Sequence, residues 1–161
     1  MSELTNEASD LTFASPDFDP TVYERLARSA SLRELRLIKS SYSAKLASVM
    51  RAQDSHEAEL KQSFSGAPEG FVFDEDRGIL AGNYHWTATV TEKRKQILSL
   101  RATFIVLYVG AEVAPKDYGK LYFEKLSRFA TYPYFRSHLG VHMAASGVNL
   151  PPLPSLRDRL D

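Results

Sequence analysis

His138 and His142 stand four residues apart, a spacing that sets two imidazoles on one face of a helix within reach of one metal ion. Structural zinc sites take four protein ligands and catalytic ones three. No third ligand is at hand, and the chain has no cysteine, so no metal or other cofactor is predicted. His56-Glu57 opens like a metalloprotease helix motif, but Leu60 occupies the place of the second histidine. His85 falls beside Thr87 on the polar side of an alternating segment. No nucleophile or paired carboxylate accompanies it, so it reads as a solvated imidazole and not as a general base. Gly66, Gly70, Gly78, Gly82 and Gly110 are isolated, and none opens a helix with the spacing a phosphate-binding loop requires. Catalysis is not expected.

Composition narrows the class further. The 161 residues fit one domain, and 43% hydrophobic with 25% charged residues allow a solid core. Net charge is zero, and the basic cluster Arg25, Arg28, Arg33, Arg36 and Lys39 is tempered by Glu24 and Glu34, so no nucleic acid partner is expected. The absence of cysteine fits a reducing compartment. MSELTNEASD has neither a basic nor an apolar export region. The longest apolar run, Ala102 to Val109, is too short to cross a bilayer. A cytoplasmic location without membrane insertion is the expectation.

Residues 1–18 carry Glu3, Glu7, Asp10 and Asp17 without a Lys or Arg, and are expected to form a disordered acidic lead. Asp19-Pro20 is a helix start, with Asp19 as N-cap and Pro20 at N1, for a helix reaching about Ala30. A strand is predicted over 33–49. Its apolar parity inverts near Ile38, which predicts a bulge there. Residues 51–70 are polar and end in Gly66, Pro68 and Gly70, which predicts a long loop.

Leu80, Tyr84, Trp86, Ala88 and Val90 alternate with Asn83, His85, Thr87 and Thr89, the pattern of a strand with one wet face. Leu98, Leu100, Ala102, Phe104, Val106 and Tyr108 make its antiparallel partner across a turn at 91–96. A helix is predicted from Pro115 to Ala130, with Tyr118, Leu121, Tyr122, Leu126 and Phe129 on its apolar stripe. A second helix runs from Pro133 to Ala145 and stops at Gly147. Leu150-Pro151-Pro152-Leu153-Pro154 must be extended. Together these elements predict an α+β fold, an antiparallel sheet with helices packed on one face, in a single domain over 19–155 followed by a short tail at 156–161. Phe123 and Phe135 fall off the best helical stripes. With Phe64, Phe71, Phe73, Tyr132 and Tyr134 they exceed the needs of one thin core, which points to an interaction groove or subunit interface.

Tyr132-Pro133-Tyr134-Phe135-Arg136, lying between two helical segments, resembles the (F/Y)PY-x-R segment of SecB export chaperones. Leu150-Pro151-Pro152-Leu153 is similar to the proline-containing segment that follows that family's last long helix, and the order of elements over roughly 21–155 is similar too. The resemblance extends to divergent SecB-like proteins that work with toxin–antitoxin pairs. It implies a homotetramer, a dimer of dimers, that holds unfolded or nascent polypeptides without ATP, for protein transport or for control of an antitoxin. Client-binding grooves would be lined by Phe64, Phe71, Val72 and Phe73 with Tyr134, Phe135 and Leu139. The sheet face with Asn83, His85, Thr87, Thr89 and Arg101 lacks the carboxylate cluster that meets the SecA motor in that family. The glutamate-rich tail is also missing, which argues against SecA as a partner. Two other readings are a dedicated adaptor for a single partner and a small-ligand protein of cystatin-like or NTF2-like cone shape. Tyr84, Trp86, Phe104 and Val106 stand where a cone enzyme would need polar groups.

Overall fold

The computed structural model describes residues 11–55 and 58–156. Along them run α1 (Pro20–Ser29), β1 (Ser31–Ala44), α2 (Leu46–Asp54), β2 (Leu60–Asp74), β3 (Ile79–Glu92), β4 (Lys95–Val109) and α3 (Lys116–Ala145). The expected acidic lead lies outside these residues over 1–10. His56-Glu57 and the tail beyond 156 lie outside them as well.

The hairpin of β3 and β4 is the centre of the sheet. Lys93 and Arg94, with φ of 45° and 70°, form its two-residue turn. Positive φ at both positions is the type I′ geometry, which matches the twist of the strands it joins. The sheet order is β1-β4-β3-β2, antiparallel throughout, so β1 and β2 are the edges. Leu80, Tyr84, Trp86, Ala88 and Val90 of β3 are buried on the inner face, as are Leu98, Leu100, Ala102, Phe104, Val106 and Tyr108 of β4. The predicted inversion in β1 is present as a register shift between Leu37 and Lys39, at Ile38. A bulge inserts one unpaired residue, and the side chains beyond it change faces.

Three expectations are corrected. The strand expected over 33–49 ends at Ala44, and Leu46, Val49 and Ala52 recur at helical spacing in α2, with Val49 and Ala52 buried. The loop expected over 51–70 is the second half of α2 and most of β2. Its inward positions include Gln62 and Gly66, whose residue types conceal the period-two pattern. Pro133 ends no helix: α3 is continuous for 30 residues. Proline has no N–H to give the Phe129 carbonyl, and the helix runs on because packing against the sheet holds it.

Residues 11–18 also differ from a flexible lead. Phe18 stacks on Tyr118 at 5.8 Å, and Phe13 meets Phe18 and Tyr23 edge-on at 5.3 and 5.1 Å. The Tyr118 hydroxyl accepts from the Asp19 backbone N–H at 2.7 Å, and Asp19 caps α1 as predicted by accepting from the Thr21 N–H at 2.9 Å. A carboxylate at the N-cap satisfies a donor the helix leaves open.

Burial pushes the Tyr23, Tyr84 and Tyr108 hydroxyls up to about 12. In the unfolded chain a tyrosine ionises near 10. Their contribution is therefore complete below pH 10. It falls as the pH rises towards 12, because over that interval the unfolded chain sheds protons that the folded chain keeps. Unfolding free energies from urea titrations at pH 9, 10 and 11 are expected to drop steeply only above pH 10, by at most about 1.4 kcal/mol per pH unit for each of these tyrosines. Tyr108→Phe should make that slope shallower.

Candidate functional site

The inner face of the sheet is covered by α3 over β2 and β3, while β1 on the far side is largely exposed except towards its end, where Tyr42 stacks on His142 of α3 at 4.8 Å. Between α3 and the edge strand β2 runs a seam of rings. As α3 ascends, β2 descends beside it: Phe73 meets Gly119, Phe71 meets Phe123 with centroids 5.4 Å apart, and Phe64 meets Tyr132 at 5.2 Å. Phe64, Phe71 and Phe73 are half-buried, and Val72 between the last two is 62% exposed. A Cβ on Gly119 would stand 2.9 Å from the Phe73 ring, so glycine is what lets the strand approach the helix there.

Trp86 lies beneath the seam with no exposed surface. Phe135 stacks on it at 5.6 Å with the planes 17° apart, and Tyr132 and Tyr84 flank it at 5.1 and 5.3 Å. Its other face is closed by Gly66, where a Cβ would fall 2.6 Å from the indole. The indole N–H donates to Thr131 Oγ1 at 2.7 Å, and the Thr131 hydroxyl donates to the Ser127 carbonyl at 2.6 Å. The buried N–H thus has the partner it needs.

Phe123 and Phe135 are not surplus to the core, as their spacing implied. Both are fully buried, together with Ser127, Thr131, Leu139 and Met143. These six form one row at four-residue intervals along α3. Its two polar members mask it in the sequence, whereas Phe129, expected on the apolar stripe, is 39% exposed. Of the residues expected to line a groove, Phe135 and Leu139 are therefore under the surface. Tyr134 points away from the seam and is 61% exposed. It lines an open recess of about 350 Å³ with Leu35, Leu37, Phe104, His138 and Val141, beside the uncovered face of β1.

The end of α3 decides what lies over the seam's far part. Gly147, at φ 70°, donates to the Ala144 carbonyl at 3.2 Å, and Val148 donates to the Met143 carbonyl at 2.8 Å. This is the Schellman turn that a glycine at C′ makes possible, with Val148 packed near Met143, both buried. It sends the proline-rich segment back across α3 and β2. There Gln62 Nε2 donates to the Pro151 carbonyl at 2.8 Å, Arg136 Nε to the Leu153 carbonyl at 2.6 Å, and the Tyr132 hydroxyl to the Pro154 carbonyl. Leu153 is 2% exposed. Gln53 and Gln62 escaped the sequence reading because nothing in their spacing marks them. They act only once α2 and β2 stand beside the returning segment.

His138 and His142 do share one face, with their Nε2 atoms 3.2 Å apart. Desolvation, and then the neighbouring His142, lowers the His138 pKa below the usual histidine value. Among the described residues no group of three or more metal-binding side chains occurs. On the outer face of the sheet a polar depression of about 640 Å³ holds His85, which bonds Thr103 at 2.9 Å and Thr87 at 3.3 Å. Asn83, Arg101 and the lone carboxylate Glu69 also line it, with Ile38, Lys39 and Ser41 of β1. Two hydroxyls on one imidazole provide neither a nucleophile–base–orienter triad nor a pair of carboxylates.

No family model matches the chain, and no curated protein matches it at a significant level. A solved structure does: the Mycobacterium tuberculosis Rv1957 SecB-like chaperone, in complex with a ChAD peptide from the Rv1956 HigA1 antitoxin. The two superpose with a TM-score of 0.64 at 17% identity, over 84% of this chain and 97% of the other. The fold is SecB-like. The α+β arrangement predicted from the strand and helix patterns, an antiparallel sheet with its long helix on one face, is that of the SecB-like chaperone. Among the described residues no helix is long and apolar enough to cross a membrane.

Thr131→Val keeps the shape of the side chain but leaves the Trp86 N–H without an acceptor. It is expected to cost about 1–3 kcal/mol of stability, read from urea unfolding followed by the fluorescence of the single tryptophan.

Proposed function

We propose that this protein is an ATP-independent molecular chaperone, a holdase that binds unfolded or nascent polypeptides along the seam between α3 and β2. The observation that carries this reading is the row Phe64, Phe71, Val72 and Phe73. These are apolar side chains, half-buried or exposed, set along an edge strand whose outer backbone groups have no neighbour in the sheet. Such an edge accepts an extended chain through main-chain hydrogen bonds while the rings take its apolar side chains. Each Å² of apolar surface removed from water contributes about 25 cal/mol, offset by the cost of ordering the client. Phe135 and Leu139 serve this site as its floor, and Tyr134 belongs to a different surface.

That surface supports self-assembly. Leu32, Leu37, Tyr134 and Val141 are each more than 40% exposed, on or beside the free edge β1. A homotetramer built as a dimer of dimers would cover this face and multiply weak client grooves into avidity. The outer face has no acidic cluster to meet a SecA motor, so SecA is not among the proposed partners. The proposed role belongs in the cytoplasm, where polypeptides await export or an antitoxin awaits its toxin. The antitoxin peptide held by the SecB-like neighbour favours an antitoxin segment as one client and keeps a second reading in view, a dedicated adaptor for that single partner.

Light scattering before and after addition of a reduced, unfolded protein tests both halves. A mass four times 18.1 kDa that rises on adding client, with the client kept soluble, is expected. Val72→Asp with Phe73→Ala should weaken client binding by about tenfold, or 1.4 kcal/mol, at unchanged mass. Val141→Asp should lower the mass. Binding of an antitoxin peptide without any binding of unrelated unfolded chains would favour the adaptor. A monomer that ignores both would sink the proposal.

A further inference from the structure

The proline-rich segment is held in an unusual way. Gln53 from α2, Gln62 from β2, and Arg136 and Tyr132 from α3 donate to the carbonyls of Asn149, Pro151, Leu153 and Pro154 respectively. The carbonyls of residues 149, 151, 153 and 154 all face the cleft. Donors from three separate elements thus read a feature that every residue of any polypeptide carries. Sequence enters only through apolar side chains, with Leu153 buried and Leu150 half-buried. Among the described residues no backbone–backbone hydrogen bond ties residues 149–156 to the sheet, so the segment can leave without breaking a strand ladder.

Building on the chaperone reading above, we infer that this cleft is the inner end of the client site. Residues 149–154 occupy it as a stand-in, and an extended client with apolar residues three apart displaces them. The segment is part of the same chain and competes at high effective concentration. Weak or folded partners are thereby kept out, and the apolar floor around Leu153 is never bare. A long unfolded client, entering at the open end beside Phe71 and Phe73, gains the extra carbonyl contacts only by pushing the segment aside.

The chain has no cysteine, which makes a direct test possible. In the full chain carrying Gln62→Cys and Pro151→Cys, a short bis-methanethiosulfonate reagent ties the segment to β2, and reductant releases it. Affinity for a reduced and alkylated unfolded client, which has no free thiol to exchange with the tether, is read by fluorescence anisotropy, with circular dichroism and mass as checks that the assembly is unchanged. At least tenfold weaker binding in the bridged state, restored by reductant, is expected. Equal binding in the two states overturns this inference alone. Failure of the unbridged protein to bind any client overturns the chaperone reading and the inference with it. Leu153→Ser loosens the segment from the opposite direction and should strengthen client binding severalfold; weaker binding by a variant with unchanged circular dichroism counts against displacement.

Discussion

The indole of Trp86 joins sheet and helix at a single point. It is the largest fully buried side chain, and full burial of so large a ring is worth about 5 kcal/mol by area, before the cost of ordering it. Glycine at 66 lets β2 lie flat on one side of it, and Phe135 and Tyr132 close the other. The hydrogen bond from its N–H to Thr131 fixes the rotation of α3 about its own axis, because Thr131 can reach the indole in only one helical phase. Once that phase is set, every other face of the helix is assigned. Phe123 and Leu139 go inward, Tyr132 and Arg136 turn towards the returning segment, and Tyr134 and Val141 are left outside.

A broken helix at Pro133 would have allowed its two halves to rotate independently. Continuity couples them, so one helix presents two unlike surfaces. One, towards β2, is a seam of half-buried rings with open and covered portions. The other, towards β1, is an exposed apolar patch beside a free sheet edge. The proposed assembly and client binding would need these two surfaces kept apart, and one continuous helix separates them.

What could be read from the sequence follows the strength of the local pattern. The hairpin was plain, because eleven inward positions of β3 and β4 are apolar, nine of them large, while most outward ones of β3 are polar. The bulge at Ile38 showed as a change of parity, and the start of α1 and the glycine after α3 carry their caps in their residue types. β2 was missed, because its inward side holds Gln62 and Gly66 as well as Phe64, and a glycine chosen to make room for a tryptophan looks like a loop residue. The core row of α3 was missed for a similar reason: Ser127 and Thr131 are polar in type but buried by role. The resemblance carried by Tyr132 to Arg136 led to the right fold, yet within that motif Tyr132 and Phe135 are buried and only Pro133 and Tyr134 are exposed. The function of its neighbours depends on the segment that folds back over them, and no spacing rule shows that segment's route.

The strand order has a kinetic side. β2, β3 and β4 follow one another as a meander whose contacts are local, but β1 is made first in the chain and must pair with β4, the last strand, from Ser31 against Val109 to Ala44 against Leu98. Closing so long a loop costs entropy before any pairing is gained, so contacts of this kind form late. Until β1 arrives, the apolar strand β4 is itself an open edge, with Phe104, Val106 and Tyr108 along it. A protein proposed to guard unfolded chains thus passes, on its own way to the native state, through the exposed condition from which it would protect others.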